Sequence, residues 1–293
     1  MKTIASIIRL IVFSNIFISL CVLCFTAKTA LILFGDNGNI HVNLLAFFST
    51  FFLYGFHGIY GSSYSETNEC PDNQRRTDDY RRLNMLLNPL AFAFAVSQLI
   101  YMPLRVWFIL IPVAAIAFGY SIPIIRRRNK FLRLRDISWY KAVWIAFSYA
   151  WLATCLPIAF ILPLNNLLRP QVIFIFLRNF LFIFAIAIPF DIRDVRTDLH
   201  SGIRTLPLLL GIKGSIKIAL ILLFAFVLSA ILQVYMHDLS IPIFLALLIS
   251  GIEAAIVIPL SSPKKPTLFF PIAIESSMVL QWALLYVFLM VRS

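Results

Sequence analysis

The sequence predicts an all-α integral membrane bundle of about nine transmembrane helices, and three observations carry that prediction. Of 293 residues, 61% are hydrophobic and only 13% are charged, against about 25% charged in a soluble domain. The apolar residues fall in runs near the roughly 20 residues that cross a bilayer. The basic residues sit in short clusters between those runs, the pattern that sets orientation in a membrane. Length alone would give two soluble domains, but so apolar a chain lacks the polar surface to cover them.

In order, the runs are 4–34, 41–60, 85–104, 106–125, 140–163, 171–190, 215–236, 240–260 and 267–291. The first carries Lys2 and Arg9 at its start; it is too long for a signal-peptide core and has no clean small-residue cleavage site, so it reads as a span. The second ends in a polar stretch, 61–84. The third and fourth lie close together, and the fourth runs into the basic stretch that opens loop 126–139. The fifth and sixth lead to a mixed-charge stretch, 191–213, after which the last three follow with short links.

With the N-terminus inside, twenty of the 25 Lys and Arg residues face the cytoplasm, Lys28, Arg105, Arg169 and Arg292 face outside, and Arg178 lies within a span. A missed helix would scramble that bias. The expected location is a multi-pass cell (inner) membrane, with loops 61–84, 126–139 and 191–213 cytoplasmic and the whole chain one transmembrane domain. The net charge of +12 is explained by these topological clusters, so no nucleic-acid partner is expected; membrane lipids are. The four cysteines, Cys21, Cys24, Cys70 and Cys155, show neither metal-ligand spacing nor a disulfide framework. The 28 Phe residues suit lipid-facing surface or an apolar cavity equally.

Chemistry concentrates in Asp191-Ile-Arg193-Asp194-Val-Arg196-Thr-Asp198-Leu-His-Ser-Gly202-Ile-Arg204-Thr205-Leu206, followed by Gly211. The aspartates are spaced i, i+3, i+7, which puts them in a narrow arc of one helix face. Such carboxylates repel one another unless a cation sits among them. Mg²⁺ takes carboxylate oxygens, keeps some water and bridges to substrate phosphates, and Arg193, Arg196 and Arg204 supply direct phosphate partners. The bland alternative is a solvated mixed-charge loop whose arginines only set topology.

The full string resembles the second aspartate-rich motif of the UbiA superfamily of membrane prenyltransferases. Gly119-Tyr120-Ser121-Ile122-Pro123, followed by Arg126-Arg127-Arg128, resembles the family's Tyr-Ser-x-Pro stretch. Leu134-Arg135-Asp136-Ile137, then Lys141 and Trp151, is similar to divergent bacterial members. At the family's first aspartate motif the sequence departs: Tyr54-Gly55-Phe56-His57-Gly58-Ile59-Tyr60 holds no carboxylate, and Asn68-Glu69-Cys70-Pro71-Asp72 fits the first half of the pattern only, with Pro71 breaking any continuous helix.

The resemblance implies a UbiA-like fold and Mg²⁺-dependent transfer of an isoprenoid group from a polyprenyl diphosphate to a lipophilic or aromatic acceptor, whether an aromatic ring, a haem-type macrocycle or a glycerol phosphate. It implies Asp191, Asp194 and Asp198 as metal ligands and catalytic residues, with Lys141 beside them. Tyr120, Arg126, Arg193, Arg204, Asn68, Asp72 and His57 are the expected substrate-binding residues. Arg178, Glu253 and Glu275 lie inside spans, where ionisable groups are costly and face the bundle interior in pairs, so Arg178 is expected to pair with one of the two glutamates. Two other readings stay open: a homologue that kept the fold and lost the chemistry, and a transporter, although no inverted repeat is present.

Overall fold

The protein is described by a computed structural model covering residues 2–61, 71–123, 125–127, 130–137 and 139–290, with backbone alone at 2–5, 59–61, 71–81, 125–127, 130–131 and 136. The helices are α1 (Lys2–Phe13), α2 (Ile16–Phe34), α3 (Ile40–Gly61), α4 (Pro71–Leu99), α5 (Leu104–Ser121), α6 (Tyr140–Ile161), α7 (Pro170–Arg193), α8 (Val195–His200), α9 (Leu206–Tyr235), α10 (Ile241–Val257) and α11 (Ser276–Met290), the last preceded by a π-helical turn, Phe270–Glu275. Among the described residues, eight helices are long and apolar enough to cross a membrane. Helix α4, whose second half is the apolar run expected as the third span, falls outside that set. It runs antiparallel along α3, with Phe94 stacked on Phe48, Phe92 against Phe52 and Asn88 against Gly55. Its outer face presents Leu86, Leu90, Phe94 and Val96.

Helices in lipid gain little from burying apolar surface against one another, so they pack where small residues let backbones approach. On α6 these are Ala142, Ala146, Ala150, Ala153 and Ala159, each at most 1% exposed, and α6 is accordingly the central helix, packed on α2, α5 and α7. Two apolar clusters result. One joins α2, α6 and α7 to α9, α10 and α11, and the other joins α2 and α6 to α3, α4 and α5.

Several expectations need correction. The first apolar run is two helices: Asn15 adopts the left-handed conformation, φ 66, which Asn tolerates better than most residues, and the chain turns there. In α1, Lys2 and Arg9 share a short helix with exposed Ile7, Ile8, Leu10 and Ile11, the form of an interfacial helix. The expected loops are largely structured. Helix α4 begins at Pro71, acceptable because the first helical position needs no N–H. Residues 125–127 and 130–132 pair as a small antiparallel ribbon. Most of 191–213 is helical.

Two intramembrane bases also differ. Lys28, expected on the outer side, is fully buried; Nζ donates to Asn179 Oδ1 and Gln281 Oε1, both at 2.6 Å, and lies 3.6 Å from the Phe25 ring centroid. Arg178 meets Gln233 of α9, not Glu253 or Glu275. The reason is depth: Glu275 lies near Arg193, fifteen residues or about 22 Å along α7 from Arg178. Cys21, Cys24 and Cys155 are free and buried; Cys70 lies outside the described residues.

Candidate active site

The charged centre forms where the N-terminus of α6 meets the C-terminus of α7. Lys141 lies in the first turn of α6, and Asp191 and Arg193 lie in the last turn of α7. Asp194 sits at the break between α7 and α8 (φ −88, ψ 6), and Asp198 is on α8. The break barely interrupts the ladder. Asp194 N–H donates to Phe190 O at 3.0 Å, and Asp198 N–H donates to Asp194 O at 2.9 Å. The three carboxylates therefore stay on one side and converge on Lys141 Nζ, at 3.1 Å from Asp191, 3.9 Å from Asp194 and 3.6 Å from Asp198. Gly202, with φ 70, then turns the chain toward α9.

Both charge placements oppose the helix dipoles, since a cation at a helix N-terminus and a carboxylate at a C-terminus are each disfavoured. Only their mutual attraction makes the arrangement tenable. The Arg193 guanidinium forks onto Asp194, Nε to Oδ1 at 2.7 Å and Nη2 to Oδ2 at 3.0 Å, and rests on the Phe190 and Phe270 rings. Burial disfavours ionisation of Asp194, but the hydrogen bonds and charge of Arg193, with Lys141 and Arg135, hold its carboxyl below the usual carboxylate range. Asp198 shifts the other way: burial, reinforced by repulsion from Asp191 and Asp194, outweighs Lys141 and raises its carboxyl. Asp191 Oδ2 and Asp198 Oδ2 are buried without a hydrogen-bond partner.

A cavity of about 370 Å³ leads from this centre into the bundle between the two apolar clusters. Lys141, Asp191, Arg193, Asp194 and Arg135 line its polar end, and Val22, Val113, Leu152, Ile183 and Met278 line apolar wall. Between them stand Tyr54, His57, Tyr120, Trp144, Tyr149 and Glu275. His57 Nδ1 meets Ser121 Oγ, and its ring lies 5.2 Å from that of Tyr120.

The structure thus gathers Asp191, Asp194, Asp198, Lys141, Arg193, Tyr120 and His57 at one end of the bundle, with Asp198 behind Lys141 and not in the cavity wall. Arg204, expected at the phosphates, is exposed and outside that wall, because the turn at Gly202 carries it away. Asn68 lies outside the described residues; the side chains of Asp72 and Arg126 do as well, though Asp72 falls in the first turn of α4 and Arg126 in the ribbon. Sequence reasoning passed over Arg135, Trp144 and Tyr149 as site residues. Arg135 was legible from its place six residues before Lys141. Tyr149 and Trp144 carried no such mark on an apolar helix.

Comparison with known proteins agrees with the fold. The chain superposes on a UbiA homologue from Archaeoglobus fulgidus, solved with GPP and Mg²⁺, with a TM-score of 0.66 at 12% identity, covering 96% of this chain and 99% of that one. The apo UbiA homologue from Aeropyrum pernix K1 gives 0.65 at 16% identity over 93% and 95% of the two chains. A digeranylgeranylglyceryl phosphate synthase gives 0.56 at 15% identity over 99% and 98%. No curated protein matches the chain in sequence. The model of the UbiA prenyltransferase family matches residues 77–290, nearly three quarters of the chain, and the protein belongs to that family.

Proposed function

We propose that this protein is a Mg²⁺-dependent prenyltransferase of the cell (inner) membrane, with its charged centre at the cytoplasmic face, taking a polyprenyl diphosphate as donor. One observation carries the reading: Asp191, Asp194 and Lys141 close the polar end of a cavity whose remaining wall is largely apolar, with Asp198 paired to the lysine from behind. That division suits a molecule with a charged head and a hydrocarbon tail, and the homologue solved with GPP and Mg²⁺ supports it.

The residues fit a magnesium ion. Among the described residues no three His, Cys, Asp or Glu side chains enclose an ion by themselves, but Mg²⁺ needs only one or two protein carboxylates, with water and substrate phosphate completing its shell. The Oδ2 of Asp191, at the cavity wall and without a hydrogen-bond partner, meets that requirement, and Asp194 and Asp198 are the further ligand candidates. When bound, Mg²⁺ neutralises the diphosphate and helps it depart. Lys141, Arg193 and Arg135 hold and stabilise the phosphate charge that grows as the carbon–oxygen bond breaks, a fixed electrostatic role typically affecting rate by about 10²–10³ per contact. Arg126, Asn68 and Asp72 are further candidates for the same task, and Arg204 approaches only if the α8–α9 turn shifts. Tyr120, His57 and Trp144 offer π faces to an allylic cation, and the apolar wall keeps water from it.

The test is incubation of purified protein with radiolabelled geranyl and longer prenyl diphosphates and a panel of lipophilic acceptors, with and without Mg²⁺. Magnesium-dependent prenyl transfer is expected. Absence of transfer and of donor hydrolysis with every divalent metal would refute it. Donor binding without turnover would favour a fold that has lost its chemistry.

A further inference from the structure

One carboxylate in the cavity is not used by diphosphate binding. Glu275 lines the cavity wall, at the end of the π-helical turn that precedes α11. It makes no hydrogen bond or ion pair among the described residues, yet its charge reaches Arg193, Tyr54 and Tyr149. A carboxylate in a membrane interior without a partner is costly, and single π turns inside helices recur at functional sites. In the wall of the same cavity, the Tyr54 and Tyr149 hydroxyl oxygens are 2.6 Å apart. One of the two donates to the other, so one O–H of the pair is left free to donate elsewhere. The cavity wall therefore offers one strong acceptor and one donor, in a lining that also includes Ile18, Ile145 and Met278.

We infer that Glu275, Tyr54 and Tyr149 form the binding subsite for the acceptor's nucleophile, and that the acceptor presents there an uncharged O–H or N–H group. The inference rests on the prenyltransferase reading and deepens it. The reacting carbon of a prenyl diphosphate is bonded directly to the diphosphate, so the nucleophile must lie close to the charged end. Glu275 satisfies this, being near the Arg193 that grips Asp194. Glu275 accepts the hydrogen of the nucleophile, which leaves the nucleophile's lone pair for the reacting carbon, and the free tyrosine hydroxyl is the subsite's donor. An acceptor carrying a carboxylate or phosphate at this point meets like-charge repulsion in a site of low dielectric, which excludes it.

The test uses two para-substituted toluenes that differ in charge, 4-methylphenol and 4-methylbenzoate, in equilibrium binding to detergent-purified full-length protein loaded with Mg²⁺ and geranyl thiolodiphosphate. Wild type should bind the phenol at least about tenfold more tightly than the benzoate. Glu275→Gln should shrink or invert that ratio, while Glu275→Asp, which keeps the charge, should preserve it. Equal or better binding of benzoate by wild type, binding of neither probe, or an unchanged ratio in a folded Glu275→Gln protein would each overturn the subsite. Binding of geranyl thiolodiphosphate itself, measured first and compared with Asp198→Asn, tests the parent reading alone. Should that fail, the phenol-to-benzoate ratio in protein without diphosphate still decides the subsite.

Discussion

At the residue scale, Lys141 holds the centre together. It is 9% exposed, Asp191 is 2% exposed, and the pair lies at 3.1 Å. Removing one partner of a buried ion pair leaves an uncompensated charge and costs about 3–5 kcal/mol. Lys141→Met should therefore lower the thermal midpoint of the detergent-solubilised protein, and Asp191→Asn in the same background should restore part of the loss, because the two residues share one interaction. Strictly additive losses would contradict the pairing. The aspartates were legible in the sequence because helical spacing alone puts i, i+3 and i+7 on one face. Their lysine was legible only through family resemblance, being fifty residues away from Asp191 in the chain. The position of Arg204 was not legible, since one glycine turn decides where it points.

At the element scale, hydropathy located the spans and missed what breaks them. Helices that are apolar on every side carry no periodic contrast to show which face turns inward, so the cavity-lining face of α6 and the packing of Lys28 against Asn179 were hidden. Asn15 interrupts the first run by its backbone conformation, which hydropathy does not record. Gly211 does the same within α9: its φ 72, ψ 168 is a region essentially reserved for glycine. A Cβ there meets nothing within 4 Å, so the cost of Gly211→Ala is backbone strain alone, about 1–3 kcal/mol. The thermal midpoint should fall accordingly, and an unchanged midpoint would show that the kink relaxes freely. In the polar seam between α2, α7 and α11, Asn179→Leu deprives Lys28 of one of its two acceptors. A loss of about 1–3 kcal/mol is expected, read as a shift in denaturant midpoint in bicelles.

At the scale of the whole molecule, the helical bundle puts the ribbon, the α7–α8 break and the α8–α9 turn at one end, where the sequence carries most of its bases. That end should face the cytoplasm by the positive-inside rule. In a Cys70→Ser background, a cysteine at Ser201 should resist an impermeant maleimide in intact cells, and one at Asp36, exposed between α2 and α3, should react. The reverse pattern would move the aspartates to the other side. The span count and the basic clustering were readable from composition, because membrane crossing is set by length and apolarity. The first-motif region remained the least legible part, since its carboxylates sit in a polar stretch with no apolar neighbours to fix their direction.

The central claim is that the aspartate–lysine centre binds a prenyl diphosphate through Mg²⁺. The most direct test is the affinity of geranyl thiolodiphosphate for wild type and Asp198→Asn, with Mg²⁺ and with chelator. Asp198 is buried, and its Oδ2 makes no hydrogen bond and faces Lys141 Nζ at 3.6 Å. Its replacement by asparagine preserves size and removes a charged ligand. The account predicts tight, chelator-sensitive binding to wild type and a weakening on the order of 10²-fold in the variant. Failure of wild type to bind with any divalent cation, or equal binding by the variant, would contradict it.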